Sequence, residues 1–364
     1  MADVFEYFPW RGDLSMQAAP ICDVDRLILC ELAYVDFDAD VPRMLPELCG
    51  EVLEKYAQLS GQQKKKFFHL KQDERLLREL SASPRFRNCQ VASCVSRFDP
   101  AEEQQFAAMT VLLPDDTAAV VFRGTDWSLI GWKEDINMAY CDLLPSQESA
   151  VEYLRMIGEK YKCPLRIMGH SKGGNLSIFA SSFSGDEIAS RILEVTSLDG
   201  PGFGETVLAS AGYQRIADRV RTILPRSSIV GALFTRTGKF SVVESKTSPL
   251  MQHITYYWEI MGGNFITVAE RDGTSQLLES AVNEWITSLE PAQRKKFIDT
   301  VWSLLASTDI TELGELLDGK NAMTVIKNYQ TLDEESKRLI GETLSRLRDC
   351  TKDSLRELIN QYKK

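Results

Sequence analysis

A chain of 364 residues with 44% hydrophobic and 26% charged residues has an ordinary globular composition, long enough for one large domain of about 250 residues plus an appendage. Its 52 acidic against 42 basic residues leave a formal charge of -10, which argues against nucleic acid or an anionic membrane as the main partner. Met1-Ala2-Asp3-Val4-Phe5-Glu6 shows no signal-peptide pattern, and no run of about 18 uninterrupted apolar residues occurs, so neither export nor a transmembrane segment is expected.

Residues 24 to 34 have helical periodicity behind an acidic start, and the same pattern predicts helices over 46 to 59 and 61 to 80, with Lys64-Lys65-Lys66 as a solvated face. Arg11-Gly12-Asp13 matches an integrin-binding tripeptide, which carries no weight in a chain without an export signal. Phe106 to Leu113 and Ala118 to Arg123 are β-rich runs separated by Pro114-Asp115-Asp116, a hairpin signal. A helix over 147 to 161 leads into the short apolar strand Pro164 to Met168, and Glu194 to Leu198, Arg219 to Leu224 and Lys239 to Val243 supply three further strands. Strands alternating with helices predict a mostly parallel sheet covered on both faces. From about residue 271 the chain becomes charged and helical, with helices expected over 275 to 288, 291 to 306 and 332 to 348. This predicts two units, 1 to 270 with the sheet and its N-terminal helices, and a helical appendage over 271 to 364.

Eight cysteines without a C-x-x-C read as free thiols in a reducing cytoplasm, and three histidines (69, 170, 253) without metal-ligand spacing give no sign of a zinc or iron site. Gly238-Lys239 lacks the earlier glycine of a phosphate loop and has Phe240 where a serine or threonine is needed, so no nucleotide cofactor is implied.

The most informative residues are Gly169-His170-Ser171-Lys172-Gly173, a G-x-S-x-G between an apolar strand and the small-residue helix that begins at Gly174-Asn175-Leu176. Strand, sharp turn and helix form the context of a nucleophile elbow, in which a strained serine projects beyond the sheet. A serine nucleophile needs a base, an orienting acid and an oxyanion hole. His253 is the candidate base, because it follows the last predicted strand, where the order Ser, acid, His of such sheets puts it, while His170 lies within the elbow and His69 in the early helical segment. The oxyanion hole should combine the Lys172 backbone N–H with Thr125, which follows a strand and Gly124 and offers both N–H and hydroxyl.

Phe122-Arg123-Gly124-Thr125, Trp132-Lys133-Glu134-Asp135 and Gly169-His170-Ser171-Lys172-Gly173-Gly174 resemble the F-R-G-[ST], W-x-x-D and G-H-S-x-G-G of class 3 lipases, in the same order and at similar spacing. Trp10 to Ser15 and Asp25 to Leu29 further resemble the Mbeg-like group of bacterial proteins, a lipase-related domain of unknown function. The likeness covers about residues 5 to 260. It implies an α/β-hydrolase three-layer sandwich, Thr125 as oxyanion donor, Asp135 as the carboxylate orienting its hydroxyl, and a mobile lid with Trp127, Leu129, Ile130 and Trp132 on its apolar face.

The acid departs from that pattern. After the strand where class 3 lipases carry it, this chain reads Leu224-Pro225-Arg226-Ser227-Ser228, without a carboxylate, whereas Asp199 ends the strand before, as in lipases of the pancreatic type. Asp199 is the preferred acid, with Asp218, Glu244 or a dyad supported by Ser228 as alternatives. The sequence thus points to a serine hydrolase acting on a small-molecule acyl ester, thioester or lipid without a cofactor. A non-catalytic scaffold on a hydrolase fold and a peptidase or amidase are the rival readings.

Overall fold

In the computed structural model the described residues are 3–64, 69–126, 128–138, 141, 143–228, 230–235, 238, 240–273, 276–277, 280–281, 283–284, 288–306, 319–343, 345 and 348–349. Among them, nine strands form one sheet in the order β1 (Arg43–Met44), β2 (Gln90–Asp99), β3 (Gln104–Leu112), β4 (Ala118–Phe122), β5 (Leu165–His170), β6 (Ile192–Leu198), β7 (Val220–Pro225), β8 (Phe240–Val243), with β11 (Thr267–Val268) beyond β8. The two-residue strands Ile260–Met261 and Asn264–Phe265, β9 and β10, pair separately. Strands β4 to β8 run parallel in sequence order, and antiparallel strands flank them on both sides.

The layers follow from alternation along the strands. In β4, Ala118, Val120 and Phe122 face one core and Ala119 and Val121 the other, the period of two that a sheet covered on both faces requires. The first core is closed by helices α1 (Asp23–Leu32), α2 (Leu45–Gln58) and α3 (Leu70–Ala82), which bury Leu27, Leu48 and Leu77. Helices α4 (Leu129–Asn137), α5 (Pro145–Lys160), α6 (Lys172–Phe183) and α7 (Ala211–Ile216) come next in the chain, and α5 to α7 close the second core with Leu154, Leu176 and Ile216. The result is an α/β-hydrolase three-layer sandwich whose N-terminal helices are part of the fold. Arg26 of α1 donates to both carboxylate oxygens of Glu194 on β6, at 2.6 and 2.7 Å, and the buried Arg85 pairs with Asp25.

Sequence expectation and structure differ in detail among the helices. The helix expected over 61 to 80 is described as Gly61–Lys64 and α3, with Lys65 and Lys66 outside the described residues. Gly12 of the integrin-like tripeptide is buried, its carbonyl accepting from the Arg85 N–H and the Ser83 hydroxyl. The C-terminal region contains helices α8 (Pro291–Ala306) and α9 (Gly319–Thr331).

Candidate active site

The parallel register brings the C-terminal ends of β4 to β8 to one edge: Phe122 lies beside Gly169, His170 beside Leu198, Leu198 beside Ile223, and Pro225 beside Val243. Open α/β sheets bind ligands at this edge. Ser171 and Asp199 leave the sheet here directly, at the ends of β5 and β6. The ladder continues one step past β5 and β6, with Ser171 N–H donating to Leu198 O at 2.9 Å and Asp199 N–H to Ile223 O at 2.8 Å.

Ser171 has φ 57° and ψ -131°, and Asp199 has φ 46°. Non-glycine residues with positive φ are costly and concentrate at sites where the surrounding structure over-determines them. The elbow is affordable only because its flanks carry no side chains: a Cβ on Gly173 would stand 2.8 Å from the Phe122 carbonyl carbon, and one on Gly169 at 2.8 Å from Phe122 O. Gly124 is equally confined, since its Cβ would lie 3.0 Å from Ser171 Cβ, which sets the Arg123-Gly124-Thr125 turn directly against the serine.

Three side chains form a continuous hydrogen-bonded run. Ser171 Oγ lies 3.0 Å from His253 Nε2, and His253 Nδ1 lies 2.7 Å from Asp199 Oδ2. Asp199 is fully buried, and its Oδ1 accepts from the Ser228 hydroxyl at 2.5 Å and the Gly231 N–H at 3.2 Å. Ser228, held in reserve by the sequence as an alternative to Asp199, is therefore its hydrogen-bond donor. Asp218 sits in the turn Ala217–Arg219 before β7, at the opposite end of the sheet, and Glu244 accepts from Arg226 at 3.1 Å. Neither meets the His253 ring in this arrangement.

His253 ends the 3-10 turn Pro249–His253, and its backbone is anchored from a second direction. His170 Nε2 lies 2.9 Å from the His253 carbonyl oxygen, and His170 Nδ1 lies 2.9 Å from the Tyr34 hydroxyl. A carbonyl only accepts, so Nε2 carries the proton and Nδ1 accepts from Tyr34. Burial, with the nearby His253 ring adding to it, holds the His170 pKa well below the usual imidazole value and keeps the ring neutral. The two imidazoles lie 4.7 Å apart between centroids. Two residues on, the Thr255 hydroxyl donates to the buried Glu31 of α1, whose carboxyl burial pushes up to about 8. The sequence shows His170 only as an elbow residue; its contact with a segment 83 residues away arises from the fold.

Thr125 donates its hydroxyl to Asp135 Oδ2. That uses the hydroxyl's one proton, so any donor role of Thr125 toward a ligand falls to its backbone N–H. Burial raises the Asp135 carboxyl to about 6, and the Lys172 ammonium opposes that shift. Lys172 is the first residue of α6, where a backbone N–H has no partner within the helix. Of the apolar lid residues expected from sequence, Trp127 lies outside the described residues, as do the side chains of Leu129 and Trp132; the half-buried Ile130 stands in the first turn of α4.

The region beyond residue 271 touches both flanks of the site. Asp272 accepts from the Ser227 hydroxyl and donates its N–H to Arg226 O at 3.0 Å, and Asn283 accepts from Phe234 N–H at 3.2 Å, so both hold the loop that carries Ser228 and Gly231. Lys133 of α4 lies over the Trp302 ring of α8, 5.6 Å from its centroid. Among the described residues no group of three or more His, Cys, Asp or Glu side chains could hold a metal ion, and no helix is long and apolar enough to cross a membrane.

The fold and this strand-end arrangement define a protein of the lipase-related α/β-hydrolase class. The chain belongs to the Mbeg1-like family, whose sequence model matches residues 80–303. No curated protein matches it. Among solved structures it is similar to the Rhizomucor miehei lipase in its propeptide complex (16% identity, TM-score 0.33, covering 43% of this chain and 57% of that one). It is similar also to lipase II from Rhizopus niveus (14% identity, TM-score 0.35, 56% of this chain and 83% of that one). The match thus spans little more than half of the Rhizomucor protein, at 57%.

Proposed function

We propose that this protein is a serine hydrolase that cleaves a carboxylic ester or thioester of a small acyl or lipid substrate through an acyl-serine intermediate. The observation that carries the reading is the hydrogen-bonded run from Ser171 through His253 to Asp199 at the C-terminal edge of the sheet. Ser171 Oγ attacks the acyl carbonyl as His253 Nε2 takes its proton; Asp199 Oδ2 accepts from Nδ1–H, holding the tautomer and stabilising the imidazolium. The same Nε2–H then protonates the leaving alkoxide or thiolate, and a water activated by His253 releases the acid. The Lys172 and Thr125 N–H groups supply the oxyanion contacts, and Asp135 orients Thr125 through its hydroxyl. No cofactor enters these steps. The seven described cysteines are free thiols, which supports a reducing, cytoplasmic setting as part of the same proposal.

Fluorophosphonate labelling of the full chain tests this reading. Wild type should label on Ser171 and hydrolyse a p-nitrophenyl ester, while Ser171→Ala should do neither. Undiminished labelling of Ser171→Ala would sink it, and a folded wild type that neither labels nor turns over would favour a binding role for the fold. A panel of esters, thioesters and amides then decides the leaving group.

A further inference from the structure

The residue after the serine is a lysine whose side chain is 1% exposed, and the carboxylate it meets, Glu134, is fully buried. A charge so enclosed is costly unless its hydrogen-bonding capacity is filled. Lys172 Nζ has three protons and three acceptors: Gln105 O at 2.8 Å, Gln105 Oε1 at 3.1 Å and Glu134 Oε2 at 2.8 Å. Glu134 is filled as well. Its Oε2 also accepts from Gln105 N–H at 3.1 Å, and its Oε1 from Ser146 N–H at 2.9 Å. One carboxylate thereby joins the start of β3, helix α4, the start of α5 and the nucleophile elbow.

The neighbour of Glu134 on α4 is Asp135, which accepts the Thr125 hydroxyl. Helix α4 is also pressed against Thr125 directly, because a Cβ on Gly131 would lie 2.8 Å from Thr125 Cγ2. The dipeptide Glu134-Asp135 therefore holds both residues proposed above as oxyanion donors, Lys172 through its ammonium and Thr125 through its hydroxyl.

We propose that the Lys172–Glu134 ion pair positions the oxyanion site, fixing the spacing of the Lys172 and Thr125 N–H donors through α4; this inference rests on the serine-hydrolase reading above. An apolar residue at 172 could fill the same volume. It could not index the elbow to α4, since contact between apolar groups has no direction and three charge-assisted hydrogen bonds do. The role is one of positioning, since neither side chain touches the reacting atoms.

The test compares full-length Lys172→Met, Glu134→Gln and the double variant Lys172→Met/Glu134→Gln with wild type on a p-nitrophenyl ester, with active sites titrated by fluorophosphonate. A displacement of donors by about 1 Å costs up to about 100-fold in rate, so kcat per titrated site should fall by roughly 10- to 100-fold. KM should stay within about threefold of wild type, because the donors act on the transition state. The double variant, with no unpaired buried charge, should recover most of the melting temperature lost by Lys172→Met but not its kcat. A merely structural pair would behave otherwise: kcat per titrated site within about twofold of wild type in the folded variants overturns the proposal. So does failure of all three variants to fold where Ser171→Ala folds. A folded wild type without labelling or turnover would instead remove the hydrolase reading, and this inference with it.

Discussion

His170 Nε2 donates to the main-chain carbonyl of His253 at 2.9 Å, so the residue ahead of the serine holds the backbone of the residue whose ring faces that serine. The two halves of the site, elbow and 3-10 turn, are thus joined by a bond outside the Ser171, His253 and Asp199 run. Since Tyr34 fills the other His170 nitrogen, the N-terminal helical segment reaches the site through it.

His170→Phe keeps a ring beside His253 but removes both hydrogen bonds, leaving the Tyr34 hydroxyl and the His253 carbonyl without this partner. Loss of each buried partner costs about 1–3 kcal/mol. The melting temperature should drop, and kcat for an ester should fall by roughly 10-fold or more as the His253 ring shifts from Ser171. Steady-state kinetics on the folded variant checks this, and an unchanged kcat would mean that the turn holds His253 without help.

The parallel core of the fold was legible because β4 to β8 are short β-rich runs that alternate with helical segments. The strand β2 was not. Its sequence Gln90-Val91-Ala92-Ser93-Cys94-Val95 interrupts alternation, and the structure shows why: the register with β3 shifts between Ala92 and Val95, and Ser93 there has φ 54°. Such a bulge offsets the period of two on which sequence reading depends. In the site, local patterns announced Ser171, Thr125 and Asp199, whereas Lys172 with Glu134 and His170 with His253 are pairs that only the tertiary fold assembles. Glu134 lies within the Trp132 to Asp135 motif, but nothing in its spacing reveals a partner 38 residues away.

The buried Glu31 gives a pH signature. Burial raises its carboxyl to about 8 in the folded protein, against an unfolded value of about 4.3. A raised carboxyl binds its proton more tightly in the native state, so its contribution to stability is full below about pH 4 and is lost as pH rises through about 8. The melting temperature of wild type should therefore decline between pH 5 and 9 more steeply than that of Glu31→Gln, whose amide oxygen can still accept from Thr255. The difference corresponds to an order of a few kcal/mol for a shift of this size. Parallel curves for the two proteins would remove Glu31 as the source.

We propose residues 1–270 as the hydrolase domain and 271–364 as its helical appendage, and a chain ending at 270 tests that boundary. Both hydrophobic cores lie between Val4 and Ile260, and the last strand of the sheet ends at Val268, so the shortened chain should fold. It loses Asp272 and Asn283 from the loop that carries Ser228 and Gly231, and Trp302 from Lys133 of α4. The expected outcome is a soluble protein that still labels with fluorophosphonate but turns over roughly tenfold more slowly, because both flanks of the site relax. An insoluble product would show that the boundary is misplaced, a result in keeping with the family match running on to residue 303.

The assignment of the acid is open to the most direct challenge, because Asp199 and Ser228 hydrogen-bond each other and only one of them meets the His253 ring. A serine hydroxyl can donate to a carboxylate but cannot stabilise an imidazolium by charge, so the two positions should differ greatly in cost. Asp199→Asn should keep the fold and lower kcat by about 10⁴-fold, since the amide favours the wrong imidazole tautomer. Ser228→Ala removes one of the two donors on Asp199 Oδ1 and leaves the Gly231 N–H in place. A hydrogen bond to a charged group contributes about 1.5–3 kcal/mol, which bounds that loss near 10- to 100-fold. Asp218→Asn, at the far end of the sheet, and Glu244→Gln, paired with Arg226, should leave kcat close to wild type. Should Ser228→Ala prove as damaging as Asp199→Asn, the carboxylate would be working only through its serine partner. Should Asp199→Asn retain full activity, Asp199 would be a buried structural carboxylate and the base would have to be oriented by its backbone contacts with His170 alone.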